Sequence, residues 1–261
     1  MVAGWLADGW KFLAFAIQTA TAVPVALKRH PGEVLVQFEQ VFVRSLPIVA
    51  GAGLSVGLVT WLQTHRLLVQ HGAESTLPSF LAVAVLVEIG PILAGLLVAS
   101  RMGAGLSAEL GTMVLNEEID ARLALGVDPV PSLVAPRAIA CAAAVPLLTV
   151  VLDAGAMLGG LAAELSAGGL TARLFWSKAL AFLDLADILP ATLKTAVFGL
   201  LIGLAACWTG LNAGSSAEAV GQAAIRGVVR SVLIVFASNV VMVPLIQWSA
   251  AGGRWSVIGT P

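Results

Sequence analysis

Charge is scarce in this sequence, and its scarcity decides more than any single motif. Asp, Glu, Lys and Arg make up 11% of the 261 residues, against 59% hydrophobic residues. An ordinary soluble domain is about 25% charged, so water cannot be the solvent for most of this surface; lipid must be. The 15 acidic and 14 basic residues leave a formal net charge of −1, which removes the electrostatic case for binding nucleic acid. Cysteine is limited to Cys141 and Cys207, both inside apolar runs; two such thiols make no metal pattern and a weak case for a disulfide. His65 and His71 have no carboxylate or cysteine companion at ligand spacing, so no metal site is expected. The histidines also stand far from any serine-elbow motif, and no Ser/His/Asp arrangement can be assembled. The chain lacks a G-x-x-x-x-G-K-[ST] loop, the device that cradles nucleotide phosphates. No catalytic residue, cofactor or metal is therefore expected in this chain. Tyrosine is absent altogether; of the seven tryptophans, Trp61, Trp208 and Trp248 fall near the ends of apolar runs, where an indole prefers the headgroup layer.

What is present is a series of long apolar runs. Ser45 to Thr64, Thr195 to Ala217 and Ser231 to Gly253 carry no Asp, Glu, Lys or Arg; Ser75 to Ser100 is interrupted only by Glu88, and Ala138 to Ala163 only by Asp153. Each is near the ~20 residues that cross a hydrocarbon core. The expected fold is an all-α integral membrane protein of about five transmembrane helices. Pro47, Pro91, Pro146 and Pro244 mark kinks that a bundle tolerates. Ahead of the first run, Trp5 to Val23 and Glu33 to Arg44 alternate apolar and polar residues at spacings of three and four, which reads as interfacial amphipathic helices. Ala20-Thr21-Ala22 offers a rival signal-peptide reading, but the segment before Lys11 lacks basic residues and carries Asp8. The expected division is 1–44 interfacial helices, 45–253 transmembrane domain and 254–261 tail.

Lysine and arginine set the orientation. Lys11, Lys28, Arg29, Arg44, Arg101, Arg122, Arg137, Arg226 and Arg230 fall on one side, and Arg66, Arg173, Lys178, Lys194 and Arg254 on the other. The first side is expected to be cytoplasmic, with the N-terminus inside and the C-terminus outside. Glycines four apart (Gly53 and Gly57, Gly155 and Gly159, Gly199 and Gly203) are suited to close helix contacts.

The connection from Gly103 to Arg137 is the most informative part of the chain. Leu106, Leu110, Met113 and Val114 form an apolar stripe, followed by the polar cluster Glu117, Glu118, Asp120 and Arg122, then Leu125. Gly126 reads as a helix stop, and Asp128-Pro129 as the start of the next helix. A short helix about 103–128 along the inner face is expected. On the residues alone it is either a solvated connector or an element that docks into a soluble partner.

Several ordered motifs here resemble the MlaE/YrbE permease family. They are Glu88-Ile89-Gly90-Pro91-Ile92-Leu93-Ala94, Ser100-Arg101-Met102-Gly103-Ala104, Ala108-Glu109-Leu110-Gly111-Thr112-Met113, Glu117-Glu118-Ile119-Asp120-Ala121, Leu125-Gly126-Val127-Asp128-Pro129 and Ala135-Pro136-Arg137. Ser45-Leu46-Pro47-Ile48 and Phe175-Trp176-Ser177 extend the likeness, which covers roughly Glu33 to Leu245. The resemblance implies the permease subunit of an ABC-type transporter moving phospholipid or a related lipid in a bacterial inner membrane. It implies a second permease copy or paralogue, two cytoplasmic ATPases that hold ATP and Mg, and an MCE-domain lipid-binding protein. It makes the short helix a coupling helix, with Glu117, Glu118, Asp120, Arg122 and Leu125 facing the ATPase and Gly126, Asp128 and Pro129 shaping the turn. The segment before Arg44 becomes the elbow helix.

A carboxylate at membrane depth is costly and has to pair, face a cavity or be neutral. Glu88 either lines the substrate cavity or makes a structural hydrogen bond near Gly90-Pro91, and Asp153 reads as structural. Relatives in the family often carry an arginine before the counterpart of Glu88, where this chain has Val87, which weakens any case for holding an anionic headgroup there by charge. Asn239, with Phe236, Val240, Met242 and Val243 around it, either lines a lipid path or packs as ordinary helix. Two other functions stay open on residues alone: an ion-coupled carrier using Glu88 and Asp153, and a membrane scaffold with no transport role.

Overall fold

The computed structural model of the chain describes residues 2–181, 183 and 185–250. Among these there is no strand, and six helices are long and apolar enough to cross a membrane. Helix α1 is Val2–Arg29, α2 Pro31–Gln70 and α3 Leu77–Val83; a π-helical turn, Ala84–Ile89, leads into α4, Gly90–Leu115. A short α5, Glu118–Ala124, is followed by a second π-helical turn, Val130–Val134, and α6, Ala135–Ala167. Helices α7, Ala172–Ala179, α8, Leu185–Leu211, and α9, Ala217–Ala250, complete the order. The expected tail 254–261, Phe182 and the last residues of the fifth run lie outside the described residues.

Three expected boundaries move. Glu33 to Arg44 and the first crossing form one unbroken 40-residue α2. At ~1.5 Å per residue this is twice the ~30 Å hydrocarbon core, so the amphipathic segment is the end of a long helix rather than a separate elbow. The stretch 103–128 is likewise not one short helix: the stripe Leu106, Leu110, Met113 belongs to α4, and only Glu118–Ala124 is separate. The stretch between the fourth and fifth runs, up to Arg230, is not a connection: α8 ends at Leu211 and α9 begins at Ala217, so only a few residues join them. In each case an apolar or amphipathic face continues through the charged residues and finds a neighbour to cover it. Helix α1 is long enough to be a sixth span. It packs on the second π-turn, α6 and α8, with Phe12 and Phe15 against Trp208 near the end of α8.

Lipid tails are as apolar as leucine, so helices in a bilayer associate through close packing and not through hydrophobic exclusion. The glycine pairs show how. A Cβ on Gly53 or Gly57 of α2 would meet the carbonyl oxygens of Leu152 or Ala156 on α6, and one on Gly159 would meet the Leu54 carbonyl. On its other side α6 receives α8, where Gly199 lies against the Cys141 carbonyl and Gly203 against Ala138. Helix α4 meets α9 the same way through Gly103 and Gly227, and Ser107 Oγ donates to the Ala206 carbonyl at 2.9 Å. At the level where the first charge-free run begins, Arg101 donates to Ser45 Oγ at 2.9 Å, joining α4 to α2.

Gly57→Leu is expected to drive a side chain into the Ala156 backbone and lower stability by about 1–3 kcal/mol. Gly51→Ala, in the same helix with open space around it, is expected to leave stability unchanged or slightly raised. Size-exclusion of detergent-solubilised protein after a heating series measures both.

Candidate functional site

Two places stand out from the apolar bundle: a polar cluster within it and an exposed short helix at one end.

The cluster begins with Pro91. Proline has no N–H and its ring crowds the carbonyl four residues earlier, so the helix ahead of it cannot stay regular. It widens into the π-turn Ala84–Ile89, in which the Gly90 N–H reaches back to the Val85 carbonyl. Such bulges redirect side chains and are frequent at functional sites. Here the turn carries Glu88. Its Oε2 accepts a hydrogen bond from Lys194 Nζ of α8 at 2.8 Å, and its Oε1 accepts one from Asn239 Nδ2 of α9 at 2.8 Å. Lys194 also donates to the Val87 carbonyl at 3.4 Å, the carbonyl that Pro91 leaves without its usual α-helical donor. The ion pair is one-sided: the Lys194 side chain is 2% exposed and that of Glu88 43%. The cation is sealed in protein, and the carboxylate faces out of the bundle.

Asp153 of α6 approaches from the other side. It is buried, its Oδ1 has no hydrogen-bond partner, and that atom occupies the space a Cβ on Gly90 would need. Residue 90 can therefore be nothing larger than glycine. Glu88 and Asn239, two of the expected path residues, are joined in one hydrogen bond. Met242 packs against the central core cluster and Val243 is half-buried, whereas Phe236 and Val240 are exposed on α9, away from the chain's own bundle. Lys194, expected in a connection on the outer side, lies inside α8 and completes the cluster. Its signal in the sequence is its position directly before the apolar run that begins at Thr195, a single charge like those of Glu88 and Asp153 within their own runs.

At one end of the bundle, α5 projects between α4 and the second π-turn. Glu117 enters it with φ of +59° and Gly126 leaves it with φ of +77°, a conformation glycine adopts at little cost. Asp128 caps the next element as expected: its Oδ1 accepts the Val130 N–H at 2.9 Å, and its carbonyl accepts Ser132 Oγ at 2.7 Å. Pro129 follows Asp128 and directly precedes the π-turn. Glu118 and Asp120 are exposed and Arg122 is half-buried. Beside them stand exposed apolar side chains, with Leu125 at 81%. The base is braced by Arg137, whose Nη2 bonds Glu109 of α4 at 2.5 Å and whose Nη1 donates to the Leu133 carbonyl at 2.9 Å. The group is an acidic and apolar knob on a rigid mount. Among the described residues no cluster of His, Cys, Asp and Glu could hold a metal ion.

Gly90→Ala is expected to lose folded protein, because its methyl collides with Asp153. Asp153→Gly in the same chain is expected to restore most of the loss by removing that collision. Yield of monodisperse protein and its thermal midpoint check the pair.

The sequence profile described as Permease MlaE covers residues 34–245. A probable ABC transporter permease protein of Rickettsia typhi is 32% identical over 77% of this chain and 78% of its own length. One of Synechocystis is 33% identical over 78% of each. The intermembrane phospholipid transport system permease protein MlaE of Haemophilus influenzae is 28% identical over 84% of this chain and 85% of its own. With its multi-pass helical bundle and a family profile spanning most of its length, this chain belongs to the MlaE permease family.

Proposed function

We propose that this permease is the membrane subunit of an ABC-type transporter that moves phospholipid or a related lipid, driven by ATP hydrolysis in a separate subunit. The observation that carries the reading is α5. An exposed helix with Leu123, Leu125 and Val127 beside Glu118 and Asp120 has no use as a lipid-facing surface, since its charges reject hydrocarbon. Its apolar side chains equally disfavour open water. A cleft in a soluble partner satisfies both. The chain has no phosphate-binding loop of its own, so the ATP and Mg belong to that partner. Two such ATPases would serve a pair of permeases, a second copy of this chain or a paralogue.

Lipid as substrate fits the route available to it. Apart from the carboxylate of Glu88, the face around the cluster is apolar, with Phe236 and Val240 exposed on α9. The Haemophilus relative is described as a phospholipid transport permease, which supports the same class. Glu88 is already held by Lys194 and Asn239, which suits an anchoring point for a polar headgroup better than a freely exchanging proton site. In the proposed orientation α1 lies along the inner face without crossing, α5 and the N-terminus are on the cytoplasmic side of a bacterial inner membrane and the C-terminus is outside, and an MCE-type lipid-binding partner receives or delivers lipid at the outer end.

Vesicles reconstituted with the permease and its co-purifying ATPase are expected to move labelled phospholipid only when ATP is hydrolysed. Lipid movement that persists without the ATPase sinks the proposal. Leu125→Ala combined with Glu118→Gln is expected to weaken ATPase retention about tenfold, roughly 1.4 kcal/mol, while the thermal midpoint of the isolated permease stays unchanged.

A further inference from the structure

The end of the bundle opposite α5 holds a cavity of about 380 Å³, lined among others by His65, Glu74, Ser75 and Glu164. Glu164 is 5% exposed, and its carboxylate is fixed by two neutral donors: Trp61 Nε1 to Oε2 at 2.6 Å and the Leu170 N–H to Oε1 at 2.9 Å. The turn that follows α6 closes tightly on it, since a Cβ on Gly169 would meet Oε1. Trp61 stacks on the His65 ring at 4.4 Å between centroids and 13° between planes, which sets the imidazole in the cavity wall. No lysine or arginine among the described residues pairs with Glu164 or Glu74. This differs from Glu88 and Glu109, each of which has its own buried cation. Glu164 is thus buried with hydrogen bonds but no counter-charge, which is costly for an ionised group, and the exposed Glu74 borders the same open space.

A cation stands beside the cavity wall. Lys178 of α7 donates to the Ser75 carbonyl at 3.0 Å. Helix α7 also gives the depth of the cavity: Phe175 and Ala179 are buried against the bundle, while Leu174, Trp176 and Leu180 are exposed. A short helix with outward apolar residues and a tryptophan lies at the headgroup layer. The cavity therefore opens where headgroups sit, negative within and positive at its edge.

We infer that this cavity is a headgroup pocket for an aminophospholipid, its ammonium entering between Glu74 and Glu164 and its phosphate meeting Lys178. The inference deepens the proposed lipid transport and rests on it for the bilayer setting. It names a substrate class with a primary ammonium, and it lies at the other end of the bundle from α5. Binding alone tests it. Full-length protein, with whatever subunits co-purify, is mixed with dihexanoyl phosphatidylethanolamine or dihexanoyl phosphatidylglycerol, and retention is measured by native mass spectrometry. The ethanolamine lipid is expected to bind more tightly. Glu74→Gln, an exposed position where folding is not at stake, is expected to weaken it about tenfold, in line with loss of one charged hydrogen bond, and to leave the glycerol lipid unchanged. Glycerophosphoethanolamine is expected to compete and glycerophosphoglycerol is not. Equal retention of the two lipids, no effect of Glu74→Gln, or competition by both soluble headgroups or by neither overturns the inference. The assay uses no ATP: a protein that shows this selectivity but moves no lipid contradicts the transport proposal alone, and one that moves lipid without the selectivity contradicts the pocket alone.

Discussion

A charge inside the bilayer has to be answered by the chain itself, and in this protein the answer to Glu88 organises the bundle. Lys194 and Asn239 reach the same carboxylate from two different helices, so the π-turn, α8 and α9 share a polar point that has no equal in the surrounding lipid. The geometry follows from Pro91, which breaks the regular helix and leaves the Val87 carbonyl for Lys194. Glycine at position 90 then lets Asp153 of α6 close the back of the cluster. A proline, a glycine and four polar side chains thus fix how the continuous helix of α3, the π-turn and α4 sits against the rest.

Around that point the helices are held by proximity. Gly53 and Gly57 admit the α6 backbone, Gly155 and Gly159 reciprocate, and Gly199 and Gly203 admit α6 to α8. These contacts are dispersion gained by close fit of shape, which adds to the interhelical hydrogen bonds in holding the bundle together. Helix α6 is consequently the best-covered span, while α9 leaves Leu233, Phe236 and Val240 facing outward. The same bundle therefore combines a rigid centre and one open apolar flank, with α5 mounted at one end on the Arg137–Glu109 bridge.

Much of this was legible in the residues. Composition alone gave a membrane bundle, and the glycine pairs marked three helix faces that the fold does bring into contact. The stop at Gly126 and the cap at Asp128 follow from local backbone chemistry and appear as expected. Boundaries set by charge were less readable. Arg44, Lys194 and Arg230 each looked like the end of a span, yet each lies within a continuous helix, because a charged residue ends a run of hydropathy without ending hydrogen bonding. The missing member of the polar cluster was lost for that reason: Lys194 is neutralised by a residue 106 positions away, and no local pattern announces a partner at that distance. Asn239 was singled out, but its bond to Glu88 is a tertiary fact.

The central claim is that Glu88 and Lys194 are one unit, each tolerable at that depth because of the other. Reversing the charges separates this from ordinary packing. Glu88→Lys and Lys194→Glu, made singly, place like charges together, and each is expected to abolish monodisperse protein or to lower its thermal midpoint markedly. Both changes in one chain are expected to recover most of what either loses. Single reversals that leave the midpoint untouched, or a double reversal no better than the singles, would contradict the account.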